Sequence, residues 1–132
     1  MKTKWMLKKD LKEVKIFDRI EKMCNCKLDI EFRQFIIANN AATPEHFNFM
    51  VGDRKEVFGA VLNFNDGDPE GSSVMTALNV VTQKKLVPFG IDPFGNYICY
   101  DWKTSHIIFW EHEQQKTSCI AKNLLEFIEG LF

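Results

Sequence analysis

Three carboxylates fall within five residues at Asp66-Gly67-Asp68-Pro69-Glu70. Alternate acids of this kind can supply oxygen ligands to calcium. A full calcium loop needs more ligands and ends on a bidentate Glu, and Gly67 and Pro69 break its pattern. An exposed acidic loop that docks a basic partner is the reading kept. The nearest basic residues in sequence are Lys55 and Lys84, so the three charges are expected to stay unneutralised. Cys99 could act as a nucleophile with His106 or His112 as its base. It stands between Ile98 and Tyr100 with no cysteine-hydrolase motif around it, which reads as packing. Glu111-His112-Glu113 sets two carboxylates beside an imidazole. On an extended segment His112 points away from both, so no acid–base pair follows. Cys24-x-Cys26 is neither the Cys-x-x-Cys of redox enzymes nor a common zinc spacing. The sequence has no Gly-rich phosphate loop, no His-Glu-x-x-His and no Gly-x-Ser-x-Gly. The expectation is a protein without catalytic residues, metal or cofactor.

Tyr97, Tyr100, Trp102, Phe109 and Trp110 crowd two neighbouring strand candidates. Exposed aromatics on a sheet could stack bases or anchor a protein partner. Helices covering most of them is the simpler reading. The net charge is −1 but unevenly spread. Residues 1–33 hold ten Lys/Arg against six Asp/Glu, and residues 34–132 hold seven against twelve. The lysines of the first part alternate with acids, unlike the dense basic stripe of a nucleic-acid binder. No nucleic-acid partner is expected. No signal-peptide core and no membrane-length apolar run occurs, so the expected address is the cytoplasm, where thiols stay reduced. The 132 residues, 45% hydrophobic with 12 Phe and 3 Trp, suit one domain over 1–132 that folds without disulfides. Residues 1–9 are expected to fray.

These residues need elements to hold them. Asp10 is a good N-cap, and Leu11, Val14, Phe17, Ile20 and Cys24 follow at helical spacing. Asp29 caps a second helix with Phe32, Phe35 and Ile36, broken at Asn39-Asn40-Ala41 because Asn tolerates the left-handed conformation. His46 to Val51 and Glu56 to Phe64 read as strands joined at Gly52-Asp53-Arg54-Lys55. Ser72 or Ser73 caps a third helix with Val74, Ala77, Leu78 and Val81. Leu86 to Ile91, Tyr97 to Trp102 and His106 to Trp110 are strands, with a turn at Asp92-Pro93-Phe94-Gly95-Asn96. Thr117 or Ser118 caps a last helix whose face is Ile120, Leu124, Phe127, Ile128 and Leu131. Short turns imply antiparallel pairing. The expected class is α+β: a mostly antiparallel sheet of about five strands packed by about four helices.

The stretch 86–102, LVPFGIDPFGNYICYDW, resembles the SUKH superfamily, which includes the fungal cell-wall-synthesis regulators. Phe89 and Gly90 end the apolar strand, Asp92 follows, Gly95-Asn96 makes the turn, and Asp101 closes the second strand. The break at Asn39-Asn40 is similar to the family's Asn-Gly-Gly-like helix end, with Ala41-Ala42 replacing the glycines. The helix before the Phe-Gly strand, the apolar strand leading into His112-Glu113 and the closing helix agree as well. The likeness spans residues 10–132. It implies a protein-binding scaffold with no catalytic residues, and bacterial members of similar size are commonly immunity proteins that neutralise a toxin domain. The partner expected is therefore a cognate toxin domain. If that domain is a nuclease with a basic substrate groove, Asp66, Asp68, Glu70 and Asp92 can complement it. Asn96 in the same turn and Trp102 at the strand end complete the expected protein-binding set. This choice rests on charge and loop position. A regulatory adaptor, as the fungal relatives suggest, is the alternative; a short chain without disordered arms favours immunity.

Overall fold

Short polar side chains start three of the four helices among the described residues. The computed structural model describes residues 3–83 and 85–132. Asp29 accepts the Phe32 N–H and opens α2, Ile30–Asn39. Ser73 accepts from Met75 and opens α3, Val74–Val80; Asn123 accepts from Glu126 and opens α4, Leu124–Glu129. Each satisfies one of the backbone donors that a helix start leaves unpaired. Helix α1, Lys15–Cys24, has no such cap and ends at Asn25 in the left-handed conformation. No helix among the described residues is long and apolar enough to cross a membrane.

The main sheet is antiparallel and five-stranded, in the order β5 (Ala60–Val61), β6 (Leu86–Ile91), β7 (Tyr97–Asp101), β8 (Ile107–Glu111) and β9 (Lys116–Ala121). From β6 onward each strand pairs with the next in sequence. Two small ribbons flank it. Strand β1, Trp5–Met6, pairs with β2, Thr43–Pro44. Strand β3, Asn48–Val51, turns through Gly52-Asp53 into β4, Arg54–Val57. Gly52 has φ +60°, the left-handed value that a two-residue hairpin demands. The architecture is α+β, with the expected five-stranded sheet and four helices.

Phenylalanine binds these layers into one core. Phe89 of β6 meets Phe32, Phe35 and Phe127 edge to face at centroid distances of 5.9, 6.1 and 6.5 Å. Phe32 stacks on Tyr100 at 4.8 Å, and Phe49 joins Phe109 to Phe127. Edge-to-face pairs of this kind add to the burial of their large apolar area. Tyr97, Tyr100, Phe109 and Trp110 are all buried, so most of the aromatics on the two strands serve the core.

Five expectations need correction. First, the helix expected from Asp10 starts at Lys15. The Asn65 side chain takes the Lys12 N–H and donates to the Asp10 carbonyl, while Asn40 exchanges bonds with Lys9. Those groups are thereby withdrawn from helical bonding. Second, Lys116–Ala121 is strand β9 rather than helix, and Asn123, not Thr117 or Ser118, is the cap. Third, the strand Glu56 to Phe64 is two strands in different sheets, parted at Phe58-Gly59. A Cβ on Gly59 would lie 2.7 Å from the Ile91 carbonyl oxygen, so only glycine lets the chain cross there. Fourth, of the expected fraying stretch, residues 1 and 2 lie outside the described residues, and residues 3–9 are docked. Thr3 accepts the His46 N–H, and Trp5 meets Phe35 and Phe58 edge to face. Fifth, at the end of α2 the left-handed residue is Ala41, at φ +61°, not an asparagine.

Gly90 shows how closely this core is fitted: a Cβ there would fall 2.6 Å from two ring carbons of Phe58, itself 1% exposed. Gly90→Ala is expected to destabilise the fold by about 2 kcal/mol through overpacking, read from urea unfolding. An unchanged midpoint would mean that the Phe58 ring is free to give way. All four cysteines are free, and the described residues contain no group of three potential metal ligands. Thermal melts with and without chelator and reductant should therefore coincide; a marked drop with either would reveal a bond or ion that the fold needs.

Candidate functional site

The acidic loop is built from its asparagine base outward. Asn63 bridges to Ser73 at the start of α3, and its side-chain amide donates to the Asp68 carboxylate and the Glu70 carbonyl, each at 3.0 Å. Asp68 Oδ1 also accepts the Glu70 N–H. The loop is thus folded back on itself, with positive φ at Gly67 and Gly71 making its bends.

Its charges are not left alone. Lys9 Nζ lies 2.5 Å from Asp68 and 3.3 Å from Glu70, and Arg19 lies 2.5 Å from Asp66. The expectation of an unneutralised loop counted neighbours in sequence, Lys55 and Lys84. Lys84 lies outside the described residues, and the cations that count come from the N-terminal arm and α1. The Lys9 ammonium, then the Glu70 N–H and the Asn63 amide, hold the Asp68 carboxyl well below the usual carboxylate range. Glu70, its side chain 79% exposed, is the open member of the group.

Asp92 and Asn96 work on their own turn. Asp92 is buried, and its carboxylate accepts from the backbone of Phe94 and Asn96 and from the Asn96 amide. The Asn96 amide oxygen accepts the His112 N–H, and a ring nitrogen of His112 lies 3.0 Å from the Phe94 carbonyl oxygen. The two residues therefore clamp the β6–β7 turn to the turn after β8. Exposed Phe94 projects beside them.

Trp102 stands at the other end of the β6–β7 hairpin, because Leu86 pairs with Asp101 at that end and Ile91 with Tyr97 at the turn end. Five strand residues separate the ends by about 16 Å. The six expected contact residues are thus three places: the acidic loop, the Asp92–Asn96 turn and the Trp102 end. At the Trp102 end the surface opens into a groove of about 600 Å³ between the C-terminal ends of α1 and α3 and the ends of β6 and β7. Met23, Leu78, Val81, Lys85, Trp102 and Lys103 are among its lining residues. Lys103 sits 5.6 Å from the centroid of the Trp102 ring. Met23, 54% exposed, lies three residues after Ile20 and seven after Ile16, so it continues the apolar stripe of α1 past its buried part.

The groups with nucleophilic or acid–base potential are dispersed or buried. Cys99 is fully buried, and burial pushes its thiol far up. Burial raises Cys26 to about 11. Burial, then a bond donated to Asp29, raises Tyr100 to about 12. Glu111 makes a bidentate pair with Arg54, at 3.1 and 3.3 Å.

The Asp68 contacts set a pH dependence. A carboxyl whose folded value is depressed stabilises the fold above its unfolded pKa, about 3.9, and that contribution fades as pH falls from there towards the folded value. Asp68→Asn should therefore be less stable than wild type at neutral pH, and the gap should narrow below about pH 4. Urea melts over a pH series measure it; a gap that stays constant with pH would show that the Lys9 contact contributes nothing through charge.

A family model described as SUKH_6, SMI1-KNR4 cell-wall, matches residues 15–128. No curated protein matches the chain. The matched span takes in α1 to α4, the acidic loop, the Asp92–Asn96 turn and the Trp102 groove. The chain belongs to the SMI1-KNR4 family of the SUKH superfamily.

Proposed function

We propose that this protein works by binding, as an immunity protein that occupies a cognate toxin domain and blocks its active site or substrate path. Family membership over residues 15–128 carries the reading, because the superfamily includes immunity proteins alongside SMI1/KNR4-like regulators. The local chemistry is consistent with it. The one thiol weighed as a nucleophile is sealed in the sheet, and a buried thiol with a raised pKa is a poor nucleophile. The polar side chains instead hold loops and turns in fixed shapes, as a recognition surface requires. Within the acidic loop, Glu70 and the exposed Asp66 are the carboxylates a basic toxin groove would meet, and such rim charges act chiefly on association rate.

A second reading has its own support. The matching family is described by its cell-wall members, which favours a regulatory adaptor acting in a complex unrelated to toxins. Co-expression separates the two. Any candidate toxin domain found encoded beside this chain's gene is induced in a host that lacks other immunity proteins. Growth should be restored by this chain, and the two proteins should co-purify at equal stoichiometry. Growth arrest despite ample soluble chain would remove the immunity reading and leave the adaptor.

A further inference from the structure

The groove beside Trp102 has a chemistry unlike the rest of the surface. Met23 from the end of α1, Leu78 and Val81 from the end of α3, and Trp102 give it an apolar part, beside the uncharged polar Asn25, Asn79, Thr82 and Gln83. Among the described residues its only charged lining residues are Lys85 and Lys103, and no carboxylate lines it. The contrast is sharp, because residues 34–132 carry twelve acids and seven bases.

The two lysines are held in place. Asp101, 3% exposed, accepts the backbone N–H groups of Lys103 and Thr104 and so shapes the turn that carries Lys103. Lys85 Nζ lies 3.8 Å from the same carboxylate, which offsets part of its charge, while 56% of its side chain stays exposed. Lys103 lies over the Trp102 ring, so cation and aromatic face form one edge of the groove. A partly apolar trough edged by two cations matches a short segment in which an apolar side chain is flanked by carboxylates. The apolar group is desolvated in the trough, and the charges set orientation and exclude basic competitors.

We propose that this groove is a docking site for an acidic, apolar peptide segment of a partner protein. The proposal rests on the binding reading above and adds the chemistry of what is bound. It also separates two surfaces by sign: the acidic loop faces basic partners, and the groove takes an acidic segment.

A library of short random peptides displayed on phage, panned against the full chain, tests this directly. Enriched peptides should carry Asp or Glu on both sides of a Leu, Met or aromatic residue. A synthetic copy of the strongest should shift the backbone amide resonances of Met23, Leu78, Val81 and Lys103. The pair Lys85→Gln and Lys103→Glu should weaken it about tenfold, equivalent to about 1.4 kcal/mol. Met23→Ala should weaken it severalfold, while Glu70→Gln in the acidic loop should leave it unchanged. Circular dichroism melts check that each variant folds, and the resonance map on the wild-type chain stands even if one does not. Basic or uncharged consensus peptides, resonance shifts elsewhere, or no enrichment would overturn the proposal. So would sedimentation showing that the chain self-associates through the groove, since the occupant would then be a second copy. None of these outcomes bears on growth rescue by the whole chain, so the groove can fail while the immunity reading stands.

Discussion

Asn40 is the point on which the arrangement turns. It is wholly buried, yet both its amide N–H groups and its amide oxygen have partners. It donates to the Lys9 carbonyl and the Asn63 side chain, and accepts the Phe64 N–H at 2.7 Å. A buried amide without partners costs about 1–3 kcal/mol per lost bond, so its position is set by the need to keep all of them. Asn63 and Asn65 extend the same network to the acidic loop and to the arm at Asp10 and Lys12. No buried side-chain nitrogen or oxygen among the described residues lacks a partner. The network is therefore closed, the condition under which a buried polar cluster specifies one structure instead of weakening several.

From this cluster the two surfaces take their places. Asn63 folds the acidic loop and brings Asp68 to Lys9, so loop and arm fix each other. The groove depends on a different anchor, Asp101, whose carboxylate sets the turn after β7. Each surface thus has its own buried polar residue, and α1 links them, with Arg19 at the acidic loop and Met23 at the groove. Surface ion pairs in general add little stability in water.

Local signals were legible where one residue decides the outcome. Asp29 and Ser73 were readable as caps because their oxygens reach N–H groups two or three residues away. Strand β6 was readable from an unbroken apolar run, and the Asp92–Asn96 turn from Pro93 and Gly95. The misreadings came from long-range competition. Asp10 had the chemistry of a cap, but Asn65, far along the chain, claimed the backbone beside it. Ile120 fell on the helical face of Leu124 and Phe127 by coincidence of spacing, and strand pairing with β8 overrode it. At the site, Asp66, Asp68 and Glu70 were visible as a cluster, while Lys9 and Arg19 were not visible as their partners. A groove assembled from four separate elements leaves almost no trace in any one of them.

The network around Asn40 also orders events in time. Strands β6 to β9 are successive neighbours, so each can pair soon after it is made, as local contacts allow. The N-terminal arm is the opposite case. Lys9 bonds to a residue 31 positions later, Lys12 to one 53 later, and the Lys9 ammonium to one 59 later. During synthesis the arm cannot settle until residues up to Asp68 have followed it. Until Phe58, Asn65 and Asp68 have been translated, Trp5 has no settled place and its indole stays open to solvent or to chaperones.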